Sequence, residues 1–212
     1  MQPKKALLLG ASGLTGGFLL QLLLNSPHYN IVTIYVRKSL DIVHPKLVEI
    51  IGDFNTIHTA VAADDVFCCL GTTIKIAKTK AAFEEVDRFY PVKIARLQKA
   101  AGSRHFLVIS AMGADEKSTI FYSKTKGLME KDLMDVQFPA LTIFRPALIL
   151  GNRHHKRGGE QIAQWLFTLI NPLLVGPLKN YAAIKASDIA NGMLKRAIEH
   201  TQGTQVILSG EI

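Results

Sequence analysis

At 212 residues and 48% hydrophobic, the chain is long and apolar enough to bury the core of one α/β domain, which excludes disorder. It carries 25 Lys and Arg against 17 Asp and Glu, a net charge of +8 that suits a phosphate-rich cofactor, a nucleic acid, an anionic surface or a lysine-rich solvated face. No apolar run reaches the roughly 18 residues a spanning helix needs, so no membrane is expected, and adjacent Cys68 and Cys69 make neither a staple nor a metal site.

The chain alternates strand and helix signals. Ala6–Leu9 reads as a first strand and Leu14–Leu24 as a helix. Glycines 10, 13 and 16 stand at the junction. Ile31–Val36 and Leu47–Ile51 are β-branched runs that read as the second and third strands. Asp65–Leu70 is the fourth and ends at Gly71-Thr72-Thr73. Thr79 to Ala101 is helical, with apolar residues at three and four from Phe83 onward, a kink or break expected at Pro91 and a cap at Gly102. Phe106–Ile109, Tyr122–Met134 and Leu141–Phe144 follow as strand, helix and strand. Beyond Gly151 come a basic loop, Asn152–Gly159, a helix over Gln161–Ile170 containing Trp165, a helix capped by Asp188, and a last short strand at Val206–Leu208.

Such alternation predicts a Rossmann-type, doubly wound, mostly parallel sheet with helices on both faces. One domain over residues 1–212 is expected, with 151–186 as a small segment capping the substrate. Ligands bind such sheets beyond the carboxyl ends of the strands. Gly10–Gly16, Arg37, Asp53, Gly71–Thr73, Ser110 and Pro146 all stand at predicted strand ends.

The chemistry begins at Gly10-Ala11-Ser12-Gly13-Leu14-Thr15-Gly16. A strand, a glycine turn and a helix can bring backbone N–H groups and a positive dipole end to a pyrophosphate. The spacing is G-x-x-G-x-x-G rather than the usual G-x-G-x-x-G, with Ser12 where a glycine would stand. Arg37 and Lys38 end the second strand, where an acidic residue would hold a ribose 2′-OH. A guanidinium there can instead pair with a 2′-phosphate, which predicts NADP(H); a solvent-facing Arg-Lys pair leaves the cofactor open. Asp53 can accept a hydrogen bond from the adenine amine or serve as an ordinary turn residue. Tyr122 and Lys126 stand one helical turn apart on one face, a phenol beside a cation that favours its ionised form. This makes Tyr122 a candidate acid/base, with Ser110 able to hold a substrate carbonyl oxygen.

With these motifs in order, the chain resembles a short-chain dehydrogenase/reductase of the extended or atypical branch. Cys69-Leu70-Gly71-Thr72-Thr73, Val86-Asp87-Arg88, Ser110-Ala111-Met112-Gly113-Ala114-Asp115 and Phe144-Arg145-Pro146 resemble the Tat-interacting-protein oxidoreductase-like group and its small bacterial relatives. The resemblance implies that Gly10, Ser12, Gly13, Leu14, Thr15 and Gly16 cradle the pyrophosphate and Arg37 the 2′-phosphate. It implies that Asp53 and Phe54 border the adenine, that Leu70, Gly71 and Thr72 line the path to the nicotinamide, and that Pro146 lies near the nicotinamide. Ser110, Tyr122 and Lys126 would be catalytic, Lys126 also holding the nicotinamide ribose. Ala111 replaces a second serine found in many relatives, and loss of that donor would leave activity weak or absent.

The expected activity is NADP(H)-dependent hydride transfer to or from a small carbonyl or alcohol, with a non-catalytic NADP(H)-sensing module that binds a protein partner as the alternative. A homodimer would be one way to complete a small site. The basic run Arg153–Arg157 carries no nucleic-acid recognition motif, and no metal is expected. Free buried thiols and the lack of a cleavable signal predict a cytoplasmic location.

Overall fold

The computed structural model describes residues 3–151, 182–199 and 202–212. The basic loop, the Trp165 helix and nearly all of the predicted cap lie outside the described residues. Seven strands form one sheet: β1 (Lys4–Leu9), β2 (Tyr29–Val36), β3 (Leu47–Ile51), β4 (Asp65–Cys68), β5 (His105–Ile109), β6 (Ala140–Arg145) and, last in the chain, β9 (Gly203–Leu208). Their order is β3-β2-β1-β4-β5-β6-β9, and every neighbouring pair is parallel. β7 (Ile149–Leu150) and β8 (Ile184–Lys185), which the hydrophobic pattern does not announce, pair separately.

The period of two along each strand divides the core between the sheet's faces. Leu8, Ile34, Phe67 and Leu107 pack in one cluster with residues of α1 (Leu14–Asn25) and of the C-terminal helix Ala186–Ile198. Leu7, Leu9, Val66 and Phe106 pack in the other with α4 (Tyr90–Ala100) and α5 (Phe121–Val136). Both faces are therefore covered, which is why the strands read as continuous apolar runs.

The long helix predicted from Thr79 is divided. A short α2 (Ile74–Ala77) precedes it, and α3 (Lys80–Glu84) runs through a π-helical turn, Glu85–Phe89, into α4. The cause is Pro91. Its ring would strike the carbonyl of the residue four earlier, which is Asp87, and it has no N–H to bond there. The chain widens instead, and Tyr90 N–H reaches back five residues to the Glu85 carbonyl. Gly102, at φ +92, ends α4, as its position predicts. Asp188 does not cap the last helix, here α6 (Ala186–Ile198); the cap position is Lys185, and Asp188 lies in the first turn, where its carboxylate still meets the positive dipole end.

Candidate active site

Parallel strands place all their carboxyl ends on one edge of the sheet. That edge carries, from β2 across to β6, Arg37, the Gly10–Gly16 turn, Leu70–Thr72, Ser110 and Pro146. Asp53 and Phe54 follow β3 on the same edge. The chain crosses from β3 to β4 past β1 and β2, so the switch point falls beside the glycine turn.

The turn is as tight as its glycines allow. Gly10 adopts φ +81, and a Cβ there would lie 2.6 Å from the Cys69 carbonyl oxygen. A Cβ at Gly16 would lie 2.0 Å from the carbonyl oxygen of Gly10. No side chain can occupy either place without moving backbone. Gly13 N–H closes the turn on the Gly10 carbonyl at 2.9 Å and α1 begins at the next residue. Ser12 and Gly13 are exposed at the helix mouth and Leu14 is half-buried, whereas Thr15 and Gly16 face the interior. The turn therefore offers backbone, and the free N–H groups of the first helical turn, to an anion. This is a cradle that fits a dinucleotide pyrophosphate.

At the β2 end, Arg37 is exposed. Asp53, also exposed, accepts the Asn55 N–H at 2.8 Å and so caps a short 3₁₀ turn, Phe54–Thr56. Phe54 is buried and stacked on Tyr90, with ring centroids 5.3 Å apart. Burial raises the Tyr90 phenol above its ordinary pKa, Asp53 adds to this, and Arg37 opposes it, which makes these residues electrostatic neighbours.

At the other end, Tyr122 is 41% exposed and leans on Phe83, while Lys126, one turn on, is 3% exposed. Lys126 Nζ lies 2.8 Å from Asp87 Oδ1, and Asp87 Oδ2 accepts the Thr72 N–H at 2.8 Å. Burial pulls the Lys126 pKa down; Asp87 and Tyr122 more than offset it, so the ammonium is held above its ordinary value. Ser110, after β5, is buried and donates its hydroxyl proton to Glu130, which also receives Arg145 Nε at 3.0 Å. Ala111 is buried beside it, and Met112 N–H ties the following loop to the Pro146 carbonyl at 2.9 Å. Cys68 and Cys69 are free thiols, and burial pushes Cys68 up to about 12, which makes it inert.

Asp87, quoted in Val86-Asp87-Arg88 without a role, and Glu130, in no motif at all, join this site. Both were visible as anomalies. Asp87 falls on the apolar stripe of its helix, four after Phe83, and Glu130 continues the Tyr122–Lys126 face at a further spacing of four. A carboxylate on a buried face needs a cation, and here each has one: Lys126 for Asp87, Arg145 for Glu130.

A glycine turn on the first strand, opening a helix at the switch point of an all-parallel sheet, defines a Rossmann-type dinucleotide-binding domain. Residues 10–157 match the NAD(P)H-binding family, and the chain belongs to it. Protein HTATIP2 of Rattus norvegicus is 36% identical over 174 residues, covering 79% of this chain and 72% of its own length. Protein FMP52, mitochondrial, of Candida albicans is 28% identical over 223 residues, covering 94% and 95%. Among solved structures, the Bordetella bronchiseptica enzyme WbmH in complex with NAD+ superposes with a TM-score of 0.69 at 15% identity, covering 99% of this chain and 77% of that one. The chain is thus an NAD(P)H-binding domain on a Rossmann-type fold.

Proposed function

We propose that the chain is an NADP(H)-dependent oxidoreductase that interconverts a small carbonyl compound and its alcohol, with Tyr122 as acid/base. The observation that carries this reading is the buried Lys126 ammonium, one helical turn from the exposed Tyr122 phenol on the ligand edge of the sheet. When bound, the nicotinamide supplies or accepts the hydride. The chain's own residues do the rest. The Gly10–Gly16 backbone would hold the pyrophosphate and Arg37 the 2′-phosphate. Lys126 would hold the ribose hydroxyls, and Tyr122 would pass its proton to the substrate oxygen during reduction and take it back during oxidation. Leu70, Gly71 and Thr72 would border the cofactor, with Pro146 at its nicotinamide end and Asp53 and Phe54 at the adenine.

Ser110 favours a second reading, an NADP(H)-sensing module that engages a protein partner or a second copy of itself. Its single proton goes to Glu130, and Ala111 offers no replacement. Serving a substrate carbonyl would require the hydroxyl to turn. A panel of aldehydes, ketones and quinones with NADPH separates the two readings. Under the first, at least one is reduced, and Tyr122→Phe lowers the rate by about two to four orders of magnitude. Unchanged turnover in that variant removes Tyr122 as the acid, and no turnover with intact NADPH binding favours the sensor. For location, the free Cys68 and Cys69 support a reducing compartment, and we take the cytoplasm. Cell fractionation tests this against the mitochondrion named for the Candida albicans relative.

A further inference from the structure

Asp87 stands where the helical ladder changes pitch, and the π-helical turn carries its carboxylate into the interior, 1% exposed. An ion so placed is costly unless both oxygens are served. Each has its own partner, Lys126 Nζ on Oδ1 and the Thr72 N–H on Oδ2. The pair therefore joins three elements: the π turn, α5 and the loop after β4. The titratable groups acting on Lys126 are Asp87, Tyr122 and Cys68, and the first supplies its ion pair.

We propose that Asp87 is the positioning residue of this site: it keeps Lys126 an ammonium at one fixed place and, through the Thr72 amide, sets the loop that borders the cofactor against it. This rests on Lys126 serving the bound cofactor. The alternative is a staple that holds the fold and nothing more. The two differ in pH dependence. Without its counter-charge, a buried lysine gives up its proton at lower pH. The Asp87→Asn chain should then bind NADPH progressively more weakly than the parent as pH rises from 7 to 9, by about tenfold at the upper end. Asp87→Glu, which restores the charge, should keep the ratio to the parent constant across that range. In the Lys126→Met background, Asp87→Asn should cost little further affinity.

The measurement is the NADPH dissociation constant by fluorescence at each pH, with melting temperature alongside. Lowered melting with a pH-independent affinity ratio means a staple only and overturns the proposal, as does an additive effect in the Lys126→Met background. If Asp87→Asn does not fold, Asp87→Glu decides, since it keeps the charge but displaces it by one methylene: NADPH affinity below the parent's at every pH with an unchanged melting temperature supports the proposal, and affinity equal to the parent's overturns it. A parent chain that binds neither NADPH nor NADH would refute the cofactor reading itself, a result distinct from these.

Discussion

Ser110 has one hydroxyl proton, and Glu130 receives it. That bond ties the serine to a part-buried ion pair, because Arg145 shares the same carboxylate. A second residue illustrates burial at the opposite end of β5. His105 is 4% exposed and its Nε2 lies 2.8 Å from Thr142 Oγ1. Burial, with help from the Lys4 ammonium, lowers its pKa to about 4. The unfolded chain binds that proton near the ordinary 6.5, so below this pH it holds more protons than the folded chain does. Stability from His105 is therefore complete above about pH 6.5 and lost as pH falls toward 4, on the order of 3 kcal/mol. Urea unfolding at pH 7.5 and 4.5 should show this loss in the parent. His105→Gln, less stable at neutral pH, should lose clearly less on acidification. An identical acid loss in both chains would remove His105 as its source.

At the scale of elements, α5 carries Tyr122, Lys126 and Glu130 on one line and ends badly. Its C-cap, Gln137, is left-handed at φ 59 and ψ 52, a conformation that costs a residue with a Cβ about 1 kcal/mol. Its N–H still reaches the Met134 carbonyl at 3.0 Å, so glycine keeps the bond and relieves the strain. Gln137→Gly should stabilise the chain by about 0.5–1 kcal/mol, read as a rise of roughly 1–4 °C in Tm with NADPH affinity unchanged. A lower Tm would show that the side chain contributes more than the strain costs. The same helix shows what sequence can and cannot reveal. Its apolar spacing and its place after β5 were legible, as were the strands of the main sheet, short apolar runs bounded by turn residues and β-branched in β2 and β3. Leu47–Ile51 spans β3 as predicted. The partners of Lys126 and Ser110 were not legible, because pairing across 39 residues to Asp87 and 20 to Glu130 depends on tertiary approach. Pro91 announced a disturbance. It did not reveal that the disturbance would be a π turn, or that the turn would bury a carboxylate against the site.

For the whole molecule, the most economical test of cofactor identity uses stability, since anything that binds only the folded chain raises it by mass action. NADPH at a hundred times its dissociation constant should add about 2.7 kcal/mol, a Tm rise on the order of 5–10 °C for a chain of this size. NADH lacks the 2′-phosphate that Arg37 would meet. Hydrogen bonds to charged groups contribute about 1.5–3 kcal/mol, so NADH should bind roughly ten to a hundred times more weakly. At the same concentration it would then add no more than about 1.4 kcal/mol, a rise of a few degrees. Arg37 is exposed at the end of β2, with a short-range electrostatic influence on Tyr90, so Arg37→Ala should leave the unliganded Tm nearly unchanged. It should also bring the NADPH shift down to that of NADH. Equal shifts in the parent would mean that Arg37 does not choose the cofactor. A shift in neither would mean that the glycine turn, however tightly its backbone closes, holds no dinucleotide.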